Sequence, residues 1–116
     1  MRVLVASDDY DAAIDLEADL EADGMEVVGI ETTARSALSV AKKEHPQAAV
    51  MNSMLRSGPA AALARRLLDL GIGVVIATGN SDEFRSLADR PKLACVRRPL
   101  DAVDAKSALR RVTGGS

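Results

Sequence analysis

Five short runs rich in valine, isoleucine and alanine alternate with five segments in which apolar residues recur at helical spacing. The strand-like runs are residues 2–6, 26–30, 48–51, 73–77 and 93–97. Most of these runs lack strict polar–apolar alternation, which is typical of strands buried on both faces. Strand–helix units this short predict a parallel sheet with helices on both sides. The pattern therefore predicts an α/β fold, a doubly wound (βα)5 domain.

The predicted helices carry apolar stripes and have recognisable ends. The stripes are Ala13, Leu16 and Leu20 in the first helix, Ala34, Ala37, Leu38 and Ala41 in the second, Ala60, Leu63, Ala64 and Leu67 in the third, and Ala105, Ala108, Leu109 and Val112 in the fifth. Ser57 and Pro59 predict the start of the third helix. Asn80 predicts the cap of a short fourth helix, and Asp101 the cap of the fifth.

Length and composition exclude several classes of protein. The 116 residues suit one compact domain, which we place at residues 1–112, with a flexible tail at 113–116. A single cysteine cannot build a disulfide framework, and no apolar run approaches the roughly 18 residues of a membrane span. We therefore expect a cytoplasmic domain without a membrane contact. Because Tyr10 and Phe84 are the only aromatic residues, a base-stacking platform for nucleic acid is disfavoured.

Charge is divided unevenly along the chain. Residues 8–31 contain ten acidic residues and no lysine or arginine, whereas residues 32–116 contain fourteen basic and seven acidic residues. The last third carries most of the basic residues that would lie near the fifth strand, namely Arg85, Arg90, Lys92, Arg97, Arg98, Lys106, Arg110 and Arg111. The acidic part is typical of a solvated helix face, with a dedicated docking surface as the alternative.

Polar residues follow four of the predicted strands. Ser7, Asp8 and Asp9 follow the first strand, Asn52 and Ser53 the third, Thr78 and Gly79 the fourth, and Arg97 and Arg98 end the fifth. Because the carboxyl ends of parallel strands share one edge of the sheet, these groups should converge there. Carboxylates, a hydroxyl and a guanidinium are groups that handle Mg²⁺ and phosphoryl oxygens.

Over residues 2–112 the sequence resembles the receiver domain of two-component response regulators, the CheY-like family. The matching stretches are RVLVASDD (2–9), PQAAVMN (46–52), VIATG (75–79) and VRRP (96–99). The resemblance implies a flavodoxin-like sheet with strand order 2-1-3-4-5. The ending of the fourth strand, with the short helix after it, is similar to a subgroup with a Phe-Ala-Thr-Gly signature, although Ile76 stands where that signature has phenylalanine.

Position by position, the resemblance implies a degenerate phosphorylation site. The phosphoacceptor position is Asn52, and the usual acidic pair is Ser7 and Asp8, with Asp9 next to it. Arg98 stands at the conserved lysine position, and Cys95 replaces the aromatic switch residue. The hydroxyl switch position, Thr78, is retained. An amide is a poor nucleophile and carries no charge to balance Mg²⁺.

These departures predict a pseudo-receiver that is not phosphorylated in the usual way and is not an enzyme. We expect Asn52 to hydrogen-bond the neighbouring loop and hold Asp8, and Cys95 to be a buried structural thiol. No cofactor is expected to be required, and Asp8 is the only candidate contact for Mg²⁺. A further option is that Asp8 or Asp9 accepts a phosphoryl group at a displaced position, which intact-mass spectrometry with a phosphodonor would reveal.

The predicted role is a stand-alone signalling module that acts through protein contacts. The implied partners are a histidine kinase, a phosphotransfer protein or another regulator, bound through the fifth strand and its flanking helices; a homodimer is a further option, and nucleic acid is disfavoured. The alternative is a ligand-responsive module, in which Asp8, Asn52, Thr78 and Arg98 ring a pocket for a small phosphorylated molecule or a nucleotide.

Overall fold

The computed structural model describes residues 1–114, and its elements follow the predicted alternation. In chain order they are β1 (Arg2–Ala6), α1 (Tyr10–Ala22), β2 (Glu26–Glu31), α2 (Ala34–Glu44), β3 (Ala48–Asn52), β4 (Met54–Leu55), β5 (Gly58–Pro59), α3 (Ala61–Asp69), β6 (Gly73–Thr78), a 3-10 helix (Ser81–Leu87), β7 (Leu93–Arg97) and α4 (Ala102–Val112). Of the tail expected at 113–116, residues 115 and 116 lie outside the described residues.

Five parallel strands form one sheet in the order β2-β1-β3-β6-β7. This is the predicted order 2-1-3-4-5, because β4 and β5 pair only with each other, in an antiparallel hairpin. The flavodoxin-like fold is therefore confirmed. β1 and β3 are neighbours in the middle of the sheet, so the loops after them meet at its carboxyl edge, where strand order reverses.

The core has two layers, one on each face of the sheet. Alternate residues of β1 divide between them, with Leu4 packed among residues of α2, α3 and the 3-10 helix, and Val5 among residues of α1 and α4. The stripes predicted for α1, α3 and α4 are buried. In residues 1–114 no helix is long and apolar enough to cross a bilayer.

The start predicted for the third helix is wrong. Ser57 and Pro59 belong to the β4–β5 hairpin, and α3 begins two residues later, after Ala60, without a side-chain cap. The Ser57 hydroxyl instead accepts a hydrogen bond from the Ala34 amide at 3.0 Å, at the start of α2. This segment is shaped by a contact with a distant loop, which overrides its local helix-start signals.

The other two predicted caps are confirmed. Asp101 caps α4 by accepting from the Asp104 amide at 2.8 Å. Asn80 caps the fourth helical segment by accepting from the Asp82 amide at 3.0 Å. That segment is a 3-10 helix with a non-helical residue inside it, Phe84, and it ends at Leu87. The short fourth helix leaves part of β7 uncovered.

Candidate functional site

Three side chains meet at the carboxyl edge of the sheet. Asn52 donates a hydrogen bond from Nδ2 to Oδ1 of Asp8 at 2.7 Å. Arg98 donates from Nη1 to Oδ1 of Asn52 at 3.4 Å. Asn52 therefore lies between a carboxylate and a guanidinium. Its amide nitrogen contacts the negative group and its amide oxygen contacts the positive group. We call Asp8, Asn52 and Arg98 the edge triad.

Backbone pairing fixes the position of the amide. The Ser53 amide, directly after Asn52, donates to the carbonyl of Ala77 at 2.9 Å and to the side-chain oxygen of Asn52 at 3.0 Å. On the other side, the Ser7 amide donates to the carbonyl of Glu31 at 3.0 Å. Asn52 ends β3 and Asp8 follows β1 by two residues, so the pairing of these two strands brings their side chains together.

Asp9 does not join the edge triad. Its carboxylate accepts from the Ala12 amide at 3.0 Å and caps α1, while its own amide donates to Oγ of Ser7 at 3.1 Å. Only Asp8 directs a carboxylate toward Asn52. Within residues 1–114, no three His, Cys, Asp or Glu residues are placed to hold a metal ion together. This donor set does not fit the Mg²⁺ that the resemblance implies, because hard cations need several oxygen ligands.

Thr78 is buried at the end of β6, but its hydroxyl faces away from the edge triad. Its Oγ1 lies within donating distance of the Asn80 carbonyl (3.2 Å) and of Oε1 of Glu83 (3.3 Å), and it accepts from the Asn80 amide at 3.1 Å. These contacts form the turn into the 3-10 helix. Contrary to our expectation, Thr78 does not line the pocket at the strand ends.

Cys95 is exposed, so its expected role as a buried thiol is wrong. It lies on β7, an edge strand, on the face from which Leu93 packs against the core. The 3-10 helix ends at Leu87 and leaves this face of β7 open. Partial burial among neighbouring groups still raises the pKa of the Cys95 thiol. A raised pKa lowers the thiolate fraction at neutral pH, which opposes a reactive redox role.

A cavity of about 530 Å³ opens beside the edge triad. Its apolar lining comes from Val5 and Val50 in the sheet, Ala13 and Leu16 on α1, and Leu100 in the loop before α4. The edge triad and the Ser7–Asp9 loop supply its polar groups. The sequence predicted a pocket at the strand ends with Asp8, Asn52 and Arg98 around it, and these three residues line the cavity. The contribution of α1 and Leu100 was not predicted, because it depends on how the elements pack.

The basic residues of the last third divide into two groups. Four have partners: Arg85 with Asp82, Arg90 with Asp69, Arg110 with Asp23, and Lys92 with the Gly71 carbonyl. Arg97, Arg98, Lys106 and Arg111 take part in none of the ion pairs among residues 1–114. Arg97 is exposed at the end of the edge strand β7, and Arg111 is exposed near the end of α4.

Comparison with known proteins finds similar structures but no similar sequence family. No protein-family model and no curated protein matches the sequence. Solved structures do match. The response regulator PhyR from Brucella abortus is 26% identical, with a TM-score of 0.80 over 98% of this chain and 48% of PhyR. The chain is a receiver-like domain. It spans about half of the PhyR chain, and this placement confirms the resemblance found in the sequence.

Two further structures support the same placement. The anti-anti-sigma factor PhyR from Bartonella quintana is 25% identical, with a TM-score of 0.73, and the match covers 98% of the receiver-like domain and 47% of that chain. A CheY-like receiver domain protein from Methanospirillum hungatei shares the fold at 21% identity, with a TM-score of 0.83 over 98% of this chain and 94% of that one. The fold is thus shared with two chains about twice as long as the matched region and with one chain that the match nearly spans.

Proposed function

We propose that this receiver-like domain signals by binding other proteins and does not accept a phosphoryl group in the usual way. The observation that carries the proposal is the Asn52 amide, held between Asp8 and Arg98 at the phosphoacceptor position. An amide nitrogen has no lone pair available for attack on phosphorus, and the neutral side chain supplies no charge to balance Mg²⁺. The Asn52 amide instead links Asp8 and Arg98 through hydrogen bonds.

The same contacts argue for one resting arrangement of the site. Asp8 receives a charge-assisted hydrogen bond from Asn52, which is stronger than a neutral one. Thr78 is committed to the turn before the 3-10 helix. A switch needs a ligand that favours a second arrangement. Without a phosphoryl group, no new contact would stabilise Thr78 in a second position. The proposed module therefore has a fixed binding surface, in the cytoplasm, and catalyses no reaction.

The proposed binding surface is the open edge of β7 with the exposed side of α4. β7 pairs only with β6, so its other edge has no neighbouring strand in residues 1–114. Arg97 and Arg111 add positive charge on this side. A histidine kinase, a phosphotransfer protein or another regulator with an acidic surface would be attracted to it; a second copy of the chain is the remaining option.

Phosphorylation is tested by intact-mass spectrometry after incubation with Mg²⁺ and acetyl phosphate. We expect no phosphoryl adduct on the domain, because no carboxylate occupies the phosphoacceptor position and Asp9 is engaged as a helix cap. An ordinary receiver labelled in parallel shows that the donor is active. An adduct mapped to Asp8 or Asp9 would overturn the proposal and establish a displaced phosphoacceptor.

Partner binding is tested with purified histidine kinases, phosphotransfer proteins and regulators from the same organism. We expect one of them to bind without a phosphodonor, and Arg97→Glu to slow its association by about tenfold at low salt. The matched control is Arg66→Glu, since Arg66 is an exposed arginine on α3, away from β7. Equal rates for both variants would reject the β7 surface, and an empty panel would reject the proposed class of partner.

A further inference from the structure

The cavity beside the edge triad has an apolar floor and a charged rim. The floor consists of core residues that are 0–7% exposed, namely Val5, Val50, Ala13 and Leu16. The accessible apolar lining above them is Ala12, Pro99 and Leu100, around a space of about 530 Å³. This volume lies within the range of small-molecule sites, roughly 300–1,000 Å³, which combine an apolar body with a few polar groups that orient the ligand. The cavity therefore suits an apolar group that lies over the floor and against these walls.

The rim carries both signs of charge at close quarters. Asp8 and Arg98 contact opposite ends of the same amide, at 2.7 and 3.4 Å, so only one small side chain separates them. Each retains hydrogen-bonding capacity: the second oxygen of the Asp8 carboxylate, and most of the five N–H groups of the guanidinium. Both residues are exposed and line the cavity. A ligand with adjacent opposite charges would pair with both.

We propose that this cavity binds an apolar α-amino acid as a zwitterion. The α-ammonium group pairs with Asp8, the α-carboxylate pairs with Arg98, and the apolar side chain lies against Ala12, Pro99 and Leu100. A nucleotide or other multiply phosphorylated ligand fits less well, because it would bring several negative charges to a rim with Asp8, Asp9 and one guanidinium. The proposed site does not involve the β7 surface, so it is independent of the proposed protein contact.

L-Phenylalanine is the probe, measured by isothermal titration calorimetry with the full chain. Two analogues each lack one charge: phenethylamine lacks the carboxylate, and 3-phenylpropanoate lacks the ammonium group. We expect saturable binding of L-phenylalanine and at least about fivefold weaker binding of either analogue. A fivefold change in affinity is what the loss of one exposed ion pair would cause. Equal binding of all three would show a non-specific apolar contact, and no binding up to millimolar concentration would also overturn the proposal.

Variants of Asp8 and Arg98 test which charged group of the ligand each residue binds. Arg98→Gln should weaken L-phenylalanine about fivefold and leave phenethylamine unchanged, whereas Asp8→Asn should weaken L-phenylalanine and leave 3-phenylpropanoate unchanged. Arg66→Gln and Asp19→Asn are matched controls, because both residues are exposed and lie outside the cavity. All of these changes are at exposed positions, so folding should survive them. A loss of binding that is the same in the controls and the rim variants would reject the site.

Discussion

Asn52→Asp should lower the free energy of unfolding by about 1–2 kcal/mol at neutral pH. The loss is no larger because water at this exposed edge weakens the repulsion between charges. The substitution removes the N–H group that donates to Asp8 at 2.7 Å and places a second carboxylate there. The two carboxylates can share a proton in acid, so the loss should be largest at neutral pH and shrink as the pH falls into the carboxyl range. Urea unfolding at several pH values measures it.

A charge swap is the matched control for this prediction. Asp8→Asn combined with Asn52→Asp restores one amide and one carboxylate with exchanged positions, and it should recover most of the lost stability. Asp8→Asn alone should cost less, since an amide oxygen still accepts from Asn52. Added Mg²⁺ should stabilise the Asn52→Asp variant more than the natural chain, because two carboxylates attract the ion. A variant as stable as the natural chain without Mg²⁺ would contradict the role assigned to Asn52.

Gly73→Ala should lower the free energy of unfolding by about 3 kcal/mol, at the upper end of the cost of overpacking. A Cβ atom at Gly73 would lie 2.6 Å from the carbonyl oxygen of Val112 and 2.8 Å from its Cγ2 atom. The carbonyl is main chain at the end of α4, so relief requires the helix to shift away from β6. The measurement is the urea midpoint, followed by circular dichroism.

Gly79→Ala is the matched control for the contact between β6 and α4. A Cβ atom at Gly79 has no heavy atom within 4 Å, and its backbone is not in the left-handed region. We expect a change of no more than about 0.5 kcal/mol, as for an ordinary surface substitution. If the two glycine variants unfold at the same urea concentration, α4 does not pack against β6 as closely as described.

The two predictions concern different parts of one scaffold. Contact between Gly73 and Val112 holds α4 against the sheet, and α4 follows the loop that carries Arg98 and Leu100. A shift of α4 would therefore move one wall of the cavity and one member of the edge triad. We expect the fold near Gly73 to determine how well the site at the opposite edge is formed.

Local pattern was enough to predict the α/β class and the bounds of the strands, whereas the strand order was predicted from the resemblance to receiver domains. β1 and β7 have the predicted bounds, and the remaining sheet strands differ from prediction by one residue at one end. Strand and helix periodicity are properties of neighbouring residues, and short strand–helix units leave little choice but a parallel sheet. That Asn52 stands at the position where the resemblance implies a phosphoacceptor carboxylate is read from residue identity, and its consequence stays a prediction.

Tertiary structure decided the features that depend on distant neighbours. Residues 54–59 form a hairpin in which Ser57 bonds to the start of α2, and Cys95 lies exposed on the edge strand β7. The cavity lies where α1, the ends of β1 and β3, and the loop before α4 meet. Sequence determines which residues face inward; only the packed chain determines which gaps remain between them, because a gap depends on atoms from several elements at once.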